Sequence, residues 1–99
     1  MKMVKDQIKA TISSNPVVMY SKSTCPQCTQ AKTDLEKNNL KAKIIEIDTA
    51  DNGREIQKAL KELTRKDTVP SIFINKRHIG GANELSKKLA SGELKQMLE

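Results

Sequence analysis

The sequence predicts an α/β fold in which a four-stranded mixed sheet is flanked by helices on both faces. Short apolar runs at residues 17–20 and 43–48 enclose a segment with helical spacing, which is typical of parallel strands joined by a crossover helix. A second pair of short runs, at residues 71–74 and 78–79, flanks a two-residue turn and indicates an antiparallel hairpin. The remaining segments have helical spacing, so we expect helices to cover both faces of the sheet.

The predicted elements follow the order α-β-α-β-α-β-β-α-α. The predicted helices are 3–14, 26 to about 39, 52–63, 84–90 and 93–98. The first strand is a short apolar run and the second contains Ile44, Ile45 and Ile47, so we expect both to be buried. The second helix places Cys28, Ala31 and Leu35 along one face, which we expect to pack against the sheet.

The length and composition indicate one globular domain spanning residues 1–99. The chain has 99 residues, of which 36% are hydrophobic and 30% charged. Its formal charge of +6 predicts attraction to anions without saying which ones. Nucleic-acid binding is the least favoured function, because the chain has no recognisable motif for it and only one Tyr and one Phe for stacking.

No apolar stretch is long enough to span a bilayer, so no membrane partner is expected. Residues 1–15 are rich in charge and lack the apolar centre of a signal peptide. We therefore expect a soluble, cytoplasmic protein. In such a reducing compartment a pair of cysteines is expected to be catalytic rather than structural.

The cysteine pair stands where a strand gives way to a helix. Pro26 suits the first helical position, and the residue before a proline is disfavoured in helical geometry, so Cys25 is predicted to be the helix N-cap. Its sulfur would face the free N–H groups of Gln27 and Cys28, where the helix dipole favours a thiolate. Cys28 lies one turn inward on the same side. The spacing predicts a redox pair in which the first sulfur attacks and the second resolves.

Two other interpretations of the cysteines are weaker. Two inert core cysteines would not be expected to open a helix directly after a strand. A tetrahedral zinc site needs four ligands, and His78 is the only other soft ligand in the chain. We therefore predict no metal site.

Four blocks of the sequence resemble the dithiol class of glutaredoxins. The blocks are residues 20–28, 55–57, 68–74 and 80–85. The similarity covers nearly the whole chain, and although C-x-x-C alone is a weak signal, these blocks in this order are a strong one. The resemblance implies a thioredoxin-like fold.

The resemblance also implies an activity, which is the reduction of disulfides with glutathione. The main substrates would be mixed disulfides between a protein and glutathione. Glutathione would then regenerate the enzyme, and a reductase with NADPH would restore the glutathione, so the protein would take part in electron transport. The implied partners are glutathione as co-substrate and glutathionylated or disulfide-containing proteins. A monomer without a tightly bound cofactor is expected.

The roles of four residues are carried over from the resemblance. Cys25 would be the nucleophile and Cys28 the resolving thiol. Lys22 and Gln57 match family positions that contact the glycyl carboxylate of glutathione. The charge of Lys22 would also favour the Cys25 thiolate. Without the resemblance, Lys22 and Gln57 would be interpreted as solvated surface residues.

The third block matches the family's cis-proline turn. Val69-Pro70 would contain the cis bond, with Thr68 leading into the turn. The N–H and C=O of Val69 would then pair with the cysteinyl unit of glutathione in the manner of a short antiparallel strand. From the residues alone, a proline at the start of an edge strand is the simpler interpretation.

The fourth block would bind the γ-glutamyl unit. Gly81 lies in a glycine pair that lets the chain turn closely before a helix. The N–H groups of Asn83 and Glu84 would begin that helix and bind the α-carboxylate. The chain departs from the family by having Gln27 where a tyrosine is most common, which removes an aromatic surface beside the site.

Two alternative functions remain open at this point. One is a thioredoxin-like general disulfide reductase that does not use glutathione, against which Lys22, Gln57 and the glycine pair argue. The other is a carrier of an iron–sulfur cluster held between two protomers, since cysteine thiolates bind such clusters. In the family, cluster binding goes with a small residue after the first cysteine, so Pro26 argues against it.

Overall fold

The computed structural model describes the backbone of residues 2–99 and the side chains from residue 4 onward. Its elements are, in chain order, α1 (Lys2–Ser14), β1 (Val17–Ser21), α2 (Pro26–Lys37), β2 (Lys43–Glu46), α3 (Gly53–Thr64), β3 (Ser71–Ile74), β4 (Arg77–Gly80), α4 (Ala82–Ser91) and α5 (Glu93–Leu98). The element order agrees with the prediction from the sequence.

The four strands form one mixed sheet in the order β2-β1-β3-β4. β1 pairs in parallel with β2 and antiparallel with β3, and β3 pairs antiparallel with β4. Tyr20 of β1 lies opposite Ser71 of β3, so the loop after β1 and the loop before β3 meet at the same end of the sheet. The loop after β1 leads to Cys25 at the start of α2.

Helices cover both faces of the sheet, as predicted. Because side chains alternate along a strand, Val18 and Tyr20 of β1 face one core and Val17 and Met19 face the other. The first core is completed by α1 and α3, and the second by α2, α4 and α5. All five residues of β1 are buried, so this strand forms the middle of the molecule.

The prediction that the second strand is buried was wrong. β2 lies at the edge of the sheet with a neighbour on one side only, and Ile44 is 38% exposed. Within the predicted range 43–48 the buried residue is Ile47, which directly follows β2. An apolar run of this length cannot distinguish an edge strand from a central one, because the sheet order is decided by long-range pairing.

Several element ends differ from the prediction by one or two residues. α2 ends at Lys37, before Asn39 with its φ of 58°. β4 is longer than predicted because Asn75 and Lys76 both have positive φ and close a two-residue hairpin. α4 begins at Ala82, two residues earlier than predicted.

Within residues 2–99, no helix combines the length and the apolar character that a membrane crossing requires.

Candidate active site

Cys25 caps the N-terminus of α2. Its backbone is extended, with φ −92° and ψ 116°, and Pro26 takes the first helical position. The N–H of Cys28 donates a hydrogen bond of 3.2 Å to Cys25 Sγ, and the N–H of Cys25 donates one of 3.1 Å to the carbonyl of Lys22. The sulfur of Cys25 therefore lies at the positive end of the helix dipole, as the sequence predicts.

The two sulfurs differ in their access to solvent. Cys25 is partly exposed, whereas Cys28 is 0% exposed, and both are free thiols. Burial, followed by the side-chain hydrogen bond with Cys25, raises the pKa of the Cys28 thiol to about 11. Cys28 is therefore protonated at neutral pH, and an incoming disulfide meets Cys25 first.

The loop before β3 lies beside Cys25. The Val69–Pro70 peptide bond is cis, in agreement with the prediction, and Pro70 is buried. The carbonyl oxygen of Val69 is 3.9 Å from Cys25 Sγ. The main chain of Val69 thus lies beside the Cys25 sulfur, while the Thr68 side chain is exposed.

Lys22 and Gln57 lie together on one depression, which has a volume of about 500 Å³. Its lining also includes Arg54 and the carboxylates of Asp48, Asp51 and Glu55. The amide nitrogen of Gln57 donates a hydrogen bond of 3.1 Å to the carbonyl of Asp67. Gln57 therefore also supports the loop that leads to Thr68, a role that the sequence did not suggest.

A second depression, of about 200 Å³, brings together the other predicted glutathione-binding residues except Cys25. Its lining consists of Gln27, Lys66, Thr68, Val69, Pro70, Gly81, Ala82, Asn83 and Glu84. These residues come from the start of α2, the loop before β3 and the start of α4. Lys66 supplies a positive charge to this depression.

The Glu84 side chain is hydrogen-bonded to the residue that precedes α4. Its Oε1 accepts a hydrogen bond of 2.7 Å from the N–H of Gly81, and this bond lowers the pKa of the Glu84 carboxyl. Gly80 makes room for it, because a Cβ there would lie 2.7 Å from Glu84 Oε1 and the residue has a φ of 117°. The carboxylate of Glu84 thus caps α4.

Sequence reasoning missed a contact between Ser23 and Asp48. The backbone N–H of Ser23 donates to Asp48 Oδ1 at 3.1 Å, and its hydroxyl donates to Oδ2 at 2.5 Å. These bonds lower the pKa of the Asp48 carboxyl. A signal was present, since both residues follow the carboxyl ends of strands predicted to be parallel, which meet at one edge of the sheet.

No cluster of three or more His, Cys, Asp or Glu side chains suited to a metal ion occurs from residue 4 onward. The two free thiols are Cys25 and Cys28. One exposed sulfur at a helix N-terminus and one buried sulfur a turn later define a thiol–disulfide oxidoreductase of the thioredoxin-like fold.

Comparisons with known proteins give the family. The Glutaredoxin family model matches residues 17–79. Glutaredoxin-1 of Rhizophagus irregularis is 43% identical over 98 residues, which cover 99% of this chain and 97% of that protein. A glutaredoxin of Ricinus communis is also 43% identical, over 97% of this chain and 94% of its own. The chain belongs to the glutaredoxin family.

Solved structures agree with this assignment. The crystal structure of a buckwheat glutaredoxin–glutathione complex superimposes with a TM-score of 0.94 at 35% identity, covering 98% of this chain and 88% of that one. Glutaredoxins are glutathione-dependent thiol–disulfide oxidoreductases, and this chain is an enzyme of that kind. A general thioredoxin-like reductase and an iron–sulfur carrier are not favoured by these comparisons.

Proposed function

We propose that the chain removes glutathione from protein–glutathione mixed disulfides and also reduces protein disulfides. Cys25 is the nucleophile in both reactions, and Cys28 is the resolving thiol. The observation that carries the proposal is the asymmetry of the two sulfurs. Cys25 is partly exposed and accepts a 3.2 Å hydrogen bond at the start of α2, whereas Cys28 is fully buried one turn later.

The first reaction needs Cys25 alone. Its thiolate attacks the glutathione sulfur of the mixed disulfide, the protein thiolate leaves and takes up a proton, and glutathione remains on Cys25 as a disulfide. A second glutathione thiolate then attacks the glutathione sulfur on Cys25. The products are glutathione disulfide and the free Cys25 thiolate.

The second reaction needs both cysteines. Attack of Cys25 on a protein disulfide leaves a bulky mixed disulfide on the enzyme. Cys28 then attacks Cys25 Sγ, which releases the substrate as a dithiol and forms the Cys25–Cys28 disulfide. Because Cys28 is held one turn away in the same molecule, its effective concentration far exceeds that of an external thiol.

Glutathione is proposed to lie across the two depressions, with its sulfur at Cys25. Lys22 and Gln57 face one depression and would bind the glycyl carboxylate. The main chain of Val69, beside Thr68 and the cis Pro70, is proposed to pair with the cysteinyl unit.

The γ-glutamyl unit would then lie in the second depression, which Gly81, Asn83 and Glu84 line. Its α-carboxylate would bind the N–H groups at the start of α4, and Lys66 supplies a nearby positive charge. The Glu84 carboxylate, bonded to Gly81, would hold this turn in shape rather than contact the anion.

The proposal extends to the state of the protein in solution. Residues 1–99 would act as one domain and as a monomer, with glutathione as co-substrate and no tightly bound cofactor. The macromolecular partners are glutathionylated and disulfide-containing proteins.

Cysteine-to-serine variants test the assigned roles. Cys28→Ser should retain most of its deglutathionylation activity and lose most of its protein-disulfide reduction. Cys25→Ser should lose both activities. An active Cys25→Ser beside an inactive Cys28→Ser would reverse the roles, and dependence on thioredoxin reductase instead of glutathione would reject the proposed reductant.

A further inference from the structure

Lys32 lies one helical turn beyond Cys28 on α2 and forms an ion pair with Glu46 of β2. Four residues along a helix bring two side chains onto the same side, about 6 Å apart along the axis. The Lys32 and Glu46 side chains are only 28% and 27% exposed. The pair thus joins the active-site helix to the end of the neighbouring strand, in a position that is largely shielded from solvent.

The surface beneath this part of α2 is polar. Ser21 and Glu46 are register partners at the carboxyl ends of β1 and β2. By strand alternation Ser21 faces the same side as Met19, which packs against α2. Ser21 Oγ and Glu46 Oε2 are buried without a hydrogen-bond partner among the side chains that the structure describes. Cys28 itself is fully buried.

The buried position of Cys28 creates a chemical problem for the resolving step. A thiol attacks a disulfide only as thiolate, and burial raises the pKa of Cys28 to about 11. Two influences act in the opposite direction and lower the Cys28 pKa, first a backbone hydrogen bond at Lys22 and then the positive charge of Lys32.

We propose that Lys32, held in place by Glu46, stabilises the Cys28 thiolate during the resolving step. The proposal rests on the resolving role assigned to Cys28 above. It adds a residue that acts on one half of the reaction only, because Cys25 already has the N-terminus of α2 to stabilise its charge.

The step balances without any further reactant. Cys28 releases its proton to solvent, and its sulfur attacks Cys25 Sγ in the mixed disulfide. The bond between Cys25 Sγ and the substrate sulfur breaks, and the Cys25–Cys28 disulfide forms. The leaving thiolate carries away the electron pair and takes up a proton from solvent, so the enzyme dithiol is oxidised as the substrate disulfide is reduced.

Dithiobis(nitrobenzoate), a chromogenic disulfide that needs no glutathione site, separates the two halves of the reaction. Mixed with reduced protein, it releases one coloured thiolate when Cys25 attacks and a second when Cys28 resolves. Lys32→Met should leave the first phase within about twofold of wild type and slow the second about tenfold. The second phase slows because the thiolate fraction of Cys28 falls when the charge of Lys32 is removed.

Two further variants separate charge from packing. Lys32→Arg keeps the charge and the partner, so it should restore the second phase to within about threefold of wild type. Lys88→Met is the matched control, because Lys88 is a similarly shielded helical lysine, 25% exposed, paired with Glu93 at 2.7 Å. It should change neither phase.

An unchanged second phase in Lys32→Met, or equal slowing of both phases, would overturn the proposal. So would equal slowing by Lys88→Met.

Circular dichroism and the thermal midpoint of each variant identify a loss of fold, in which case Lys32→Gln takes the place of Lys32→Met. The two proposals can fail separately. If Lys32→Met slows the second phase as expected but the protein shows no glutathione-dependent activity, the proposed function is rejected and the role of Lys32 is retained.

Discussion

The carboxylate of Asp48 accepts two hydrogen bonds from Ser23. The backbone N–H of Ser23 donates one at 3.1 Å, and the Ser23 hydroxyl donates the other at 2.5 Å. Ser23 lies between Lys22 and Cys25, and Asp48 follows β2. The loop that carries both the nucleophile and its basic neighbour is thus fastened to the end of the edge strand.

Loss of this contact should reduce activity. Asp48→Ala removes both acceptors, so the loop carrying Lys22 and Cys25 loses its support and kcat/KM for a glutathionylated substrate should fall about three- to tenfold. Asp51→Ala is the control, since Asp51 is an exposed carboxylate that lines the same depression. If both variants lose the same activity, the effect comes from charge and not from the bond to Ser23.

The Asp48 contact should also depend on pH. The Ser23 hydrogen bonds lower the folded-state pKa of Asp48, so their contribution to stability is present above the unfolded value of about 4. It is lost as the pH falls through the folded-state value. Urea unfolding of wild type and Asp48→Asn should therefore give a stability difference at pH 7 that shrinks in acid. A difference independent of pH would contradict this assignment.

Alkylation should distinguish the two cysteines. Iodoacetamide at pH 7 is expected to modify Cys25 and to spare Cys28, which is 0% exposed and has a pKa raised to about 11 by burial. Both should react in urea, where an unperturbed thiol has a pKa of about 8.5. Mass spectrometry of digested protein locates the label, and faster labelling of Cys28 in the folded protein would reverse the roles.

Lys22 should act mainly on substrate binding. Lys22→Ala is expected to raise KM for a glutathionylated peptide several-fold, more than it lowers kcat, because it removes a charge from the proposed carboxylate site. The effect should shrink as salt screens the interaction. Lys37→Ala, which removes an exposed lysine from the far end of α2, is the control. Equal kinetics of Lys22→Ala and wild type at all salt concentrations would reject the site.

A side chain at position 53 should destabilise the fold. A Cβ at this position would lie 1.8 Å from the carbonyl oxygen of Ile47, so Gly53→Ala must displace backbone and should cost about 2–3 kcal/mol of stability. Gly92→Ala is the comparison, because Gly92 has a φ of 80° but no atom within 4 Å of the added Cβ. It should cost about 1–2 kcal/mol. Chemical denaturation measures both, and a smaller loss for Gly53→Ala would contradict the structure.

The sequence by itself determined the features that depend on neighbouring residues. Apolar spacing predicts the order of the elements, and Pro26 predicts that Cys25 caps α2, because the backbone preferences involved act over a few residues. The resemblance to the glutaredoxins added the cis bond before Pro70. It also named Lys22 and Gln57, which the structure brings to one depression.

Only the tertiary structure decided the features that join distant segments. β2 is an edge strand because the sheet order is β2-β1-β3-β4, in which β1 lies between β2 and β3. No property of residues 43–46 reveals this order. The Ser23–Asp48 contact spans 25 residues and the Lys32–Glu46 pair spans 14. The raised pKa of Cys28 likewise results from burial between α2 and the sheet. These features arise from long-range packing, so the burial that raises the pKa of the Cys28 thiol exists only in the assembled fold.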